Sequence, residues 1–248
     1  MDKALYVAMT GAKNNMIAQT VAANNLANVS TNGFRADFAQ ARSMPVYYGS
    51  GQPTRAYALT EVPATNFAQG AMVKTGHELD IAVEGSGFIA VQAPDGSEAY
   101  TRVGSMFIDN FGLLRTGSGL PVMGNGGPIA IPAADKVEVA IDGTVTALPI
   151  GSAVDGIVVV DRIKLVNPPE GSFYKSADGL IRARNPEEDV EADAQVRVIA
   201  GFLENSNVNA VTELTNMLEL ARQYEMQVKI MQTAKEHSES SARLLQNA

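Results

Sequence analysis

The chain has 248 residues, 46% of them hydrophobic and only 19% charged, so it can build a core and does not read as disordered. Nineteen Lys and Arg against 27 Asp and Glu give a formal charge of −8, which disfavours binding to nucleic acid, because phosphate backbones are held by clustered cations. Cysteine is absent, which excludes disulfides, thiolate metal sites and cysteine nucleophiles. The two histidines, His77 and His237, lack metal-ligand spacing, so no metal or cofactor is expected.

The first element is helical. Residues 3 to about 28 hold one glycine, Gly11, and no proline. Leu5, Met9, Ala12, Met16, Gln19, Ala23 and Leu26 recur in steps of four and three, a heptad seam. The helix ends in Asn28-Val29-Ser30-Thr31-Asn32-Gly33, where Gly33 is free to take a positive φ. A β-branched residue at Gly33 is expected to misdirect Phe34 and Arg35 rather than destabilise the β domain, and alanine to be better tolerated.

The middle switches to period two. Residues 79–83, 88–91, 137–141 and 157–160 read as strands, bounded by Gly85-Ser86-Gly87, Asp95-Gly96, Gly124-Asn125-Gly126-Gly127-Pro128 and Asp142-Gly143. No helical period interrupts them, which favours an antiparallel β domain over a βαβ sheet. Gly85 to Ala90 matches the G-x-G-x-x-G/A nucleotide pattern, but a strand and a turn follow where a pyrophosphate site needs a helix. A glycine-rich turn is the reading; a nucleotide-binding enzyme is the rival from another class. The acidic run Glu187 to Asp193 lacks the ligand alternation of a calcium loop and reads as an exposed segment.

The last element is again helical. From Asn209 to Gln246 there is neither glycine nor proline, and Asn209 is a natural N-cap. Ala210, Leu214, Met217, Ala221, Tyr224, Val228 and Met231 form a second seam, which frays after Met231. The two seams could cover the β domain, but a single pair of unequal helices buries only part of each stripe. The remainder points to another copy or a relative as partner. The expected fold class is α+β: long terminal helices forming a coiled-coil-like helical domain (1–35 with 206–248), connecting segments (36–76 with 184–205), and a central, mainly antiparallel β domain (77–183). No apolar run approaches a membrane span, and the amphipathic start lacks the pattern of a cleaved signal peptide.

Ala23-Asn24-Asn25-Leu26-Ala27-Asn28-Val29-Ser30-Thr31-Asn32-Gly33-Phe34-Arg35 resembles the N-terminal signature of the bacterial flagellar rod and hook proteins. Ser206-Asn207-Val208-Asn209, Glu213-Leu214 and Arg222-Gln223-Tyr224-Glu225-Met226 resemble that family's C-terminal end, with Ala210 where relatives often carry proline. Leu79 to Phe88, Tyr100 to Ser105, Gly112 to Thr116 and Gly124 to Ile129 resemble its β domain. Within the family, Met1 to Tyr6 and Met226 to Met231 look most like the proximal-rod members, with the distal-rod members as the near alternative. The resemblance implies a structural subunit without catalytic residues, polymerised in the basal body through an all-helical inner domain. The implied assembly transmits torque, encloses an export channel, and receives its subunits from the flagellar type III export apparatus without membrane insertion. Its implied interface is Leu5, Met9, Met16, Asn24, Asn25, Leu26, Asn28, Thr31, Gly33, Phe34, Asn209, Leu214, Met217, Ala221, Tyr224, Val228 and Met231.

Overall fold

Alanine spacing dictates the first helix, α1 (Asp2–Ala27): Ala8, Ala12 and Ala22 are among the strongest helix formers and all lie buried on one side. The structure, a computed structural model, describes residues 2–47, 55–60, 64–151, 156–169, 171–185 and 190–246. It divides into two units, one of residues 1–28, 36–66 and 208–248, the other of residues 29–35 and 67–207. Glu187, Glu188 and Asp189 of the expected acidic segment fall outside the described residues. Among those described, no helix is long and apolar enough to cross a membrane.

In the first unit, α1 is followed by the short strands β1 (Asp37–Phe38), β2 (Ala41–Val46), β3 (Arg55–Thr60) and β4 (Ala64–Thr65); it closes with α2 (Ala210–Gln246). The helix α2 starts where its cap is. The Asn209 side-chain oxygen accepts the N–H groups of Val211 (3.0 Å) and Thr212 (3.2 Å), satisfying two donors that no helical carbonyl can reach. Strand β2 pairs antiparallel with β3, and β1 with β4. The β3 strand packs on α1, where Asn14 donates to the Ala58 carbonyl at 2.8 Å.

The helices α1 and α2 run along one another, but not as the expected coiled coil. The buried line on α1 is Ala8, Ala12, Ala22 and Asn25, whereas Leu5, Met9 and Met16 of the seam are exposed. Gly11 belongs to the same inner line: a Cβ placed there would stand 3.2 Å from the Gln227 side chain. Two adjacent stripes of α1 have heptad spacing, and the one with the shorter side chains turns inward because it lets the backbones approach closely. On α2, Met217, Ala221, Val228 and Met231 are half-buried, while Leu214 and Tyr224 remain exposed. The same unit also takes in four short strands from the expected connecting segment that starts at residue 36. What stands is one helix at each end, a hairpin carried beside them, and a mainly β centre.

The second unit holds β5 (Met72–Lys74), β6 (Ile81–Glu84), β7 (Phe88–Gln92), β8 (Glu98–Thr101), β9 (Met106–Ile108), β10 (Leu114–Thr116), β11 (Ala134–Val139), β12 (Thr144–Pro149), β13 (Val158–Arg162), β14 (Leu165–Val166), β15 (Phe173–Lys175), β16 (Ile181–Ala183), β17 (Arg197–Ala200) and β18 (Phe202–Glu204). Its largest sheet has the order β14-β7-β8-β16-β15; β11-β12-β13 form a second, and β17-β6, β18-β5 and β10-β9 are pairs. The described pairings between these strands are antiparallel.

Strand β7 shows why period two builds this unit. Ile89 enters a core with Val83, Leu114, Val122, Val145 and Leu165. On the opposite face, Phe88 and Ala90 enter a second cluster, where Tyr100 stacks on Phe173 at 4.7 Å. Gly85-Ser86-Gly87 is the turn between β6 and β7, and the element it opens is the strand β7, not a helix.

Candidate subunit interface

The helical unit leaves many of its large apolar side chains exposed. On α1, Tyr6, Met9, Met16 and Ile17 are exposed; on α2, Val211, Leu214, Leu218, Met226 and Ile230 are. Met16 at 61% and Leu218 at 58% show how little of this surface the unit covers by itself. Large apolar groups on two long helices, backed by an alanine line, make a surface that suits other helices.

The residues expected at the interface fall into three groups. Leu5, Met9, Met16, Asn24, Thr31, Asn209, Leu214 and Tyr224 are exposed; Leu26, Asn28, Met217, Ala221, Val228 and Met231 are half-buried. Asn25, Gly33 and Phe34 have work inside the chain. Asn25 is 2% exposed. Its amide nitrogen donates to the Asp37 carbonyl at 2.9 Å and to the Glu213 carboxylate at 3.4 Å, while its oxygen accepts the Asp37 N–H at 3.0 Å. One side chain thus joins the end of α1 to β1 and to the first turn of α2. Asn28 closes the helix, its amide donating to the Asn24 carbonyl at 2.9 Å.

Asn25→Ala should leave the Asp37 N–H and carbonyl without these partners. The expected cost is about 2 kcal/mol, read as faster hydrogen exchange of the Asp37 amide. Unchanged exchange there would show that the clamp holds nothing.

Phe34 is held by Lys175, whose ammonium lies 3.9 Å from the ring centroid and donates to the Arg35 carbonyl at 2.8 Å. Gly33 has φ +69° and its N–H donates to the Glu204 carbonyl at 2.7 Å. A Cβ at Gly33 would lie 2.5 Å from the Arg102 carbonyl carbon.

Beside this turn lies an ionic cluster that sequence reasoning did not single out. Arg35 and Glu204 meet at 2.7 Å, and Arg102 meets the other Glu204 oxygen at 2.8 Å, with all three side chains at 1% exposure or less. The Gly70 N–H also donates to Glu204, at 2.7 Å. Arg102 donates further to the carbonyls of Gly85 (2.6 Å) and Val83 (3.3 Å), and its guanidinium lies 5.3 Å from the centre of the Phe88 ring. Burial pulls the Arg102 pKa below the usual arginine value, and the Glu204 charge opposes that shift. Two cations share one anion, and Arg35 Nε and Nη1 have no hydrogen-bond partner. Arg35 and Arg102 stand in stretches that carry the family resemblance, but a buried charge has no period to betray it. Glu204, in Phe202-Leu203-Glu204-Asn205, offers as its signal a lone acid behind two apolar residues.

Comparison with known proteins agrees with the arrangement of the chain. Residues 5–35 match the family described as flagella basal body rod protein, residues 82–147 the flagellar hook protein FlgE/F/G D1 domain, and residues 199–244 the flagellar basal body rod FlgEFG protein C-terminal family. The flagellar basal-body rod protein FlgF of Escherichia coli (strain K12) is 39% identical over 252 residues, covering 99% of each chain. FlgF of Salmonella typhimurium (strain LT2) is 38% identical over 251 residues, again 99% of each. FlgG of Bacillus subtilis (strain 168) is 32% identical over 258 residues, 95% of this chain and 96% of its own. From the rod signature that ends at Arg35 to the helix capped by Asn209, the chain belongs to the flagellar basal-body rod protein family and is FlgF-like within it.

Proposed function

We propose that this chain is a proximal-rod subunit that polymerises with its own copies and neighbouring rod proteins through the outward faces of α1 and α2. In this reading the assembled helices form the drive shaft, which carries motor torque and encloses the export channel. The subunits reach it through the flagellar type III export apparatus. The rod itself follows from the family. The proximal position is supported by the higher identity to the enteric FlgF relatives, 39% and 38%, than to the Bacillus FlgG, 32%.

The observation that carries the interface is that α1 buries alanines while Tyr6, Met9, Met16 and Ile17 stay exposed, and that α2 leaves Val211, Leu214, Leu218, Met226 and Ile230 exposed. Burying one such side chain in a neighbour contributes about 1.5–3 kcal/mol, so several together suffice to hold a polymer. Leu214 is 52% exposed, so aspartate there leaves the isolated subunit's fold alone. At a packed interface the same carboxylate loses its water and costs several kcal/mol. Leu214→Asp and Met16→Asp should each melt like the wild type yet yield no basal bodies and no swimming. Normal rods from both variants would place the interface elsewhere.

A further inference from the structure

The chain passes between its two units at four places: 28/29, 35/36, 66/67 and 207/208. Segments of the β unit next to all four converge on one residue. Glu204 receives Gly33 and Arg35 from the segment 29–35, and Gly70 from just beyond residue 67. It stands three residues before Asn207, whose amide donates to the Ala68 carbonyl at 2.9 Å and whose backbone N–H donates to the Phe34 carbonyl at 3.4 Å. Behind Glu204, Arg102 runs into the β unit, where it grips Val83 and Gly85 at the end of β6.

We infer that Glu204, with Arg35 and Arg102, is the anchor through which torque enters the β unit, so that Arg35 and Glu204 are positioning residues for force transmission. This rests on the torque-carrying reading above. The chemistry suits the task. Apolar contacts slide past one another with little change in energy, whereas charge-assisted hydrogen bonds are directional and resist displacement. The cluster also has a surplus cation, which is hard to justify as stabilisation alone. Two guanidiniums on one carboxylate leave a net positive charge in the interior, and Arg35 keeps two unpartnered nitrogens there. Removing Arg35 would leave a neutral Arg102–Glu204 pair, which is easier to bury. What would be lost is the side-chain tie to the segment that follows α1, while the Gly33 N–H still donates to the Glu204 carbonyl and Lys175 to the Arg35 carbonyl.

Arg35→Met separates the two roles, because it cuts this tie while leaving Glu204 compensated. The variant is expressed as the full chain in a strain lacking the wild-type copy. It should melt within about 4 °C of wild type, enter basal bodies, and support normal swimming in dilute buffer. In viscous medium, where motors work against high load, swimming speed should fall by about half or more as the charge-assisted tie is lost. Arg35→Lys, which keeps the charge but not the planar fork, should fall between. If Arg35→Met melts far lower, the apolar triple variant Arg35→Met/Arg102→Met/Glu204→Leu takes its place, with the same load-specific loss expected.

Full speed at high load in either folded variant overturns the anchor. So does a folded variant that never enters the rod, which would make the cluster an assembly device. Unfolding of both variants would make it a folding device only, and equally overturns the inference. Failure of the wild-type chain to restore rods would instead strike the rod reading beneath it.

Discussion

Replacing Glu204 with leucine should cost the β unit about 3–5 kcal/mol, because it strands two buried guanidiniums that now share one carboxylate. The Gly70 N–H would lose its acceptor as well. Against a usual total stability of about 5–15 kcal/mol, that is a large fraction. For a chain of this size it corresponds to a fall in melting temperature of about 6–20 °C. Glutamine in the same place keeps an oxygen acceptor but no charge, so Glu204→Gln should lie between. Adding Arg35→Met and Arg102→Met to the leucine variant should restore most of the loss, since the buried cations leave together. Thermal melting of purified protein decides this. If Glu204→Leu alone melts like wild type, the cluster is not buried as described.

The second large effect belongs to Gly33. The sequence alone suggests that valine there would disturb only the direction of the chain and that alanine would be tolerated. The structure says otherwise, because the obstacle is the Cβ itself. It would lie 2.5 Å from the Arg102 carbonyl carbon and 2.6 Å from both the Arg102 oxygen and the Val103 nitrogen, all rigid backbone. The positive φ adds about 1–2 kcal/mol of its own. Gly33 moreover belongs to the β unit and donates to the Glu204 carbonyl. Gly33→Ala should therefore lower the β unit's melting temperature nearly as much as Gly33→Val, by about 10 °C or more, and both strains should swim poorly. An alanine variant that melts normally would mean that Arg102 and Gly33 do not touch.

Much of this architecture could be read in advance, and the reasons are physical. Strand β7 was legible because a strand buried on both faces shows as an unbroken apolar run between glycine turns, as Phe88 to Val91 does. The start of α2 was legible because Asn209 precedes a stretch free of glycine and proline, and capping is local chemistry. The contact line of α1 was not. Leu5, Met9 and Met16 carry the heptad and stay exposed, yet Ala8, Ala12 and Ala22 are the apolar residues that α1 buries. Hydrophobic periodicity reports which residues will leave water, not whether they do so within one chain or between chains. The clustering of Arg35, Arg102 and Glu204 was equally invisible, because it joins positions distant in sequence through charges that carry no pattern. The strands beside α1 escaped for a third reason: β2 is exposed along nearly its whole length, so no alternation marks it.

The alanine line between the helices has a consequence for when the helical unit can exist. Short side chains hide little apolar surface, so contact with α2 returns little free energy to a lone subunit for ordering α1 and α2. Met16, Leu214, Leu218 and Ile230 are exposed, so in the proposed rod their burial would add stabilisation that the lone subunit lacks. On the proposed reading, docking of the subunit would complete the stabilisation of its ends. In the proposed rod, a new subunit would then gain much of its helical order where earlier subunits already offer their helices.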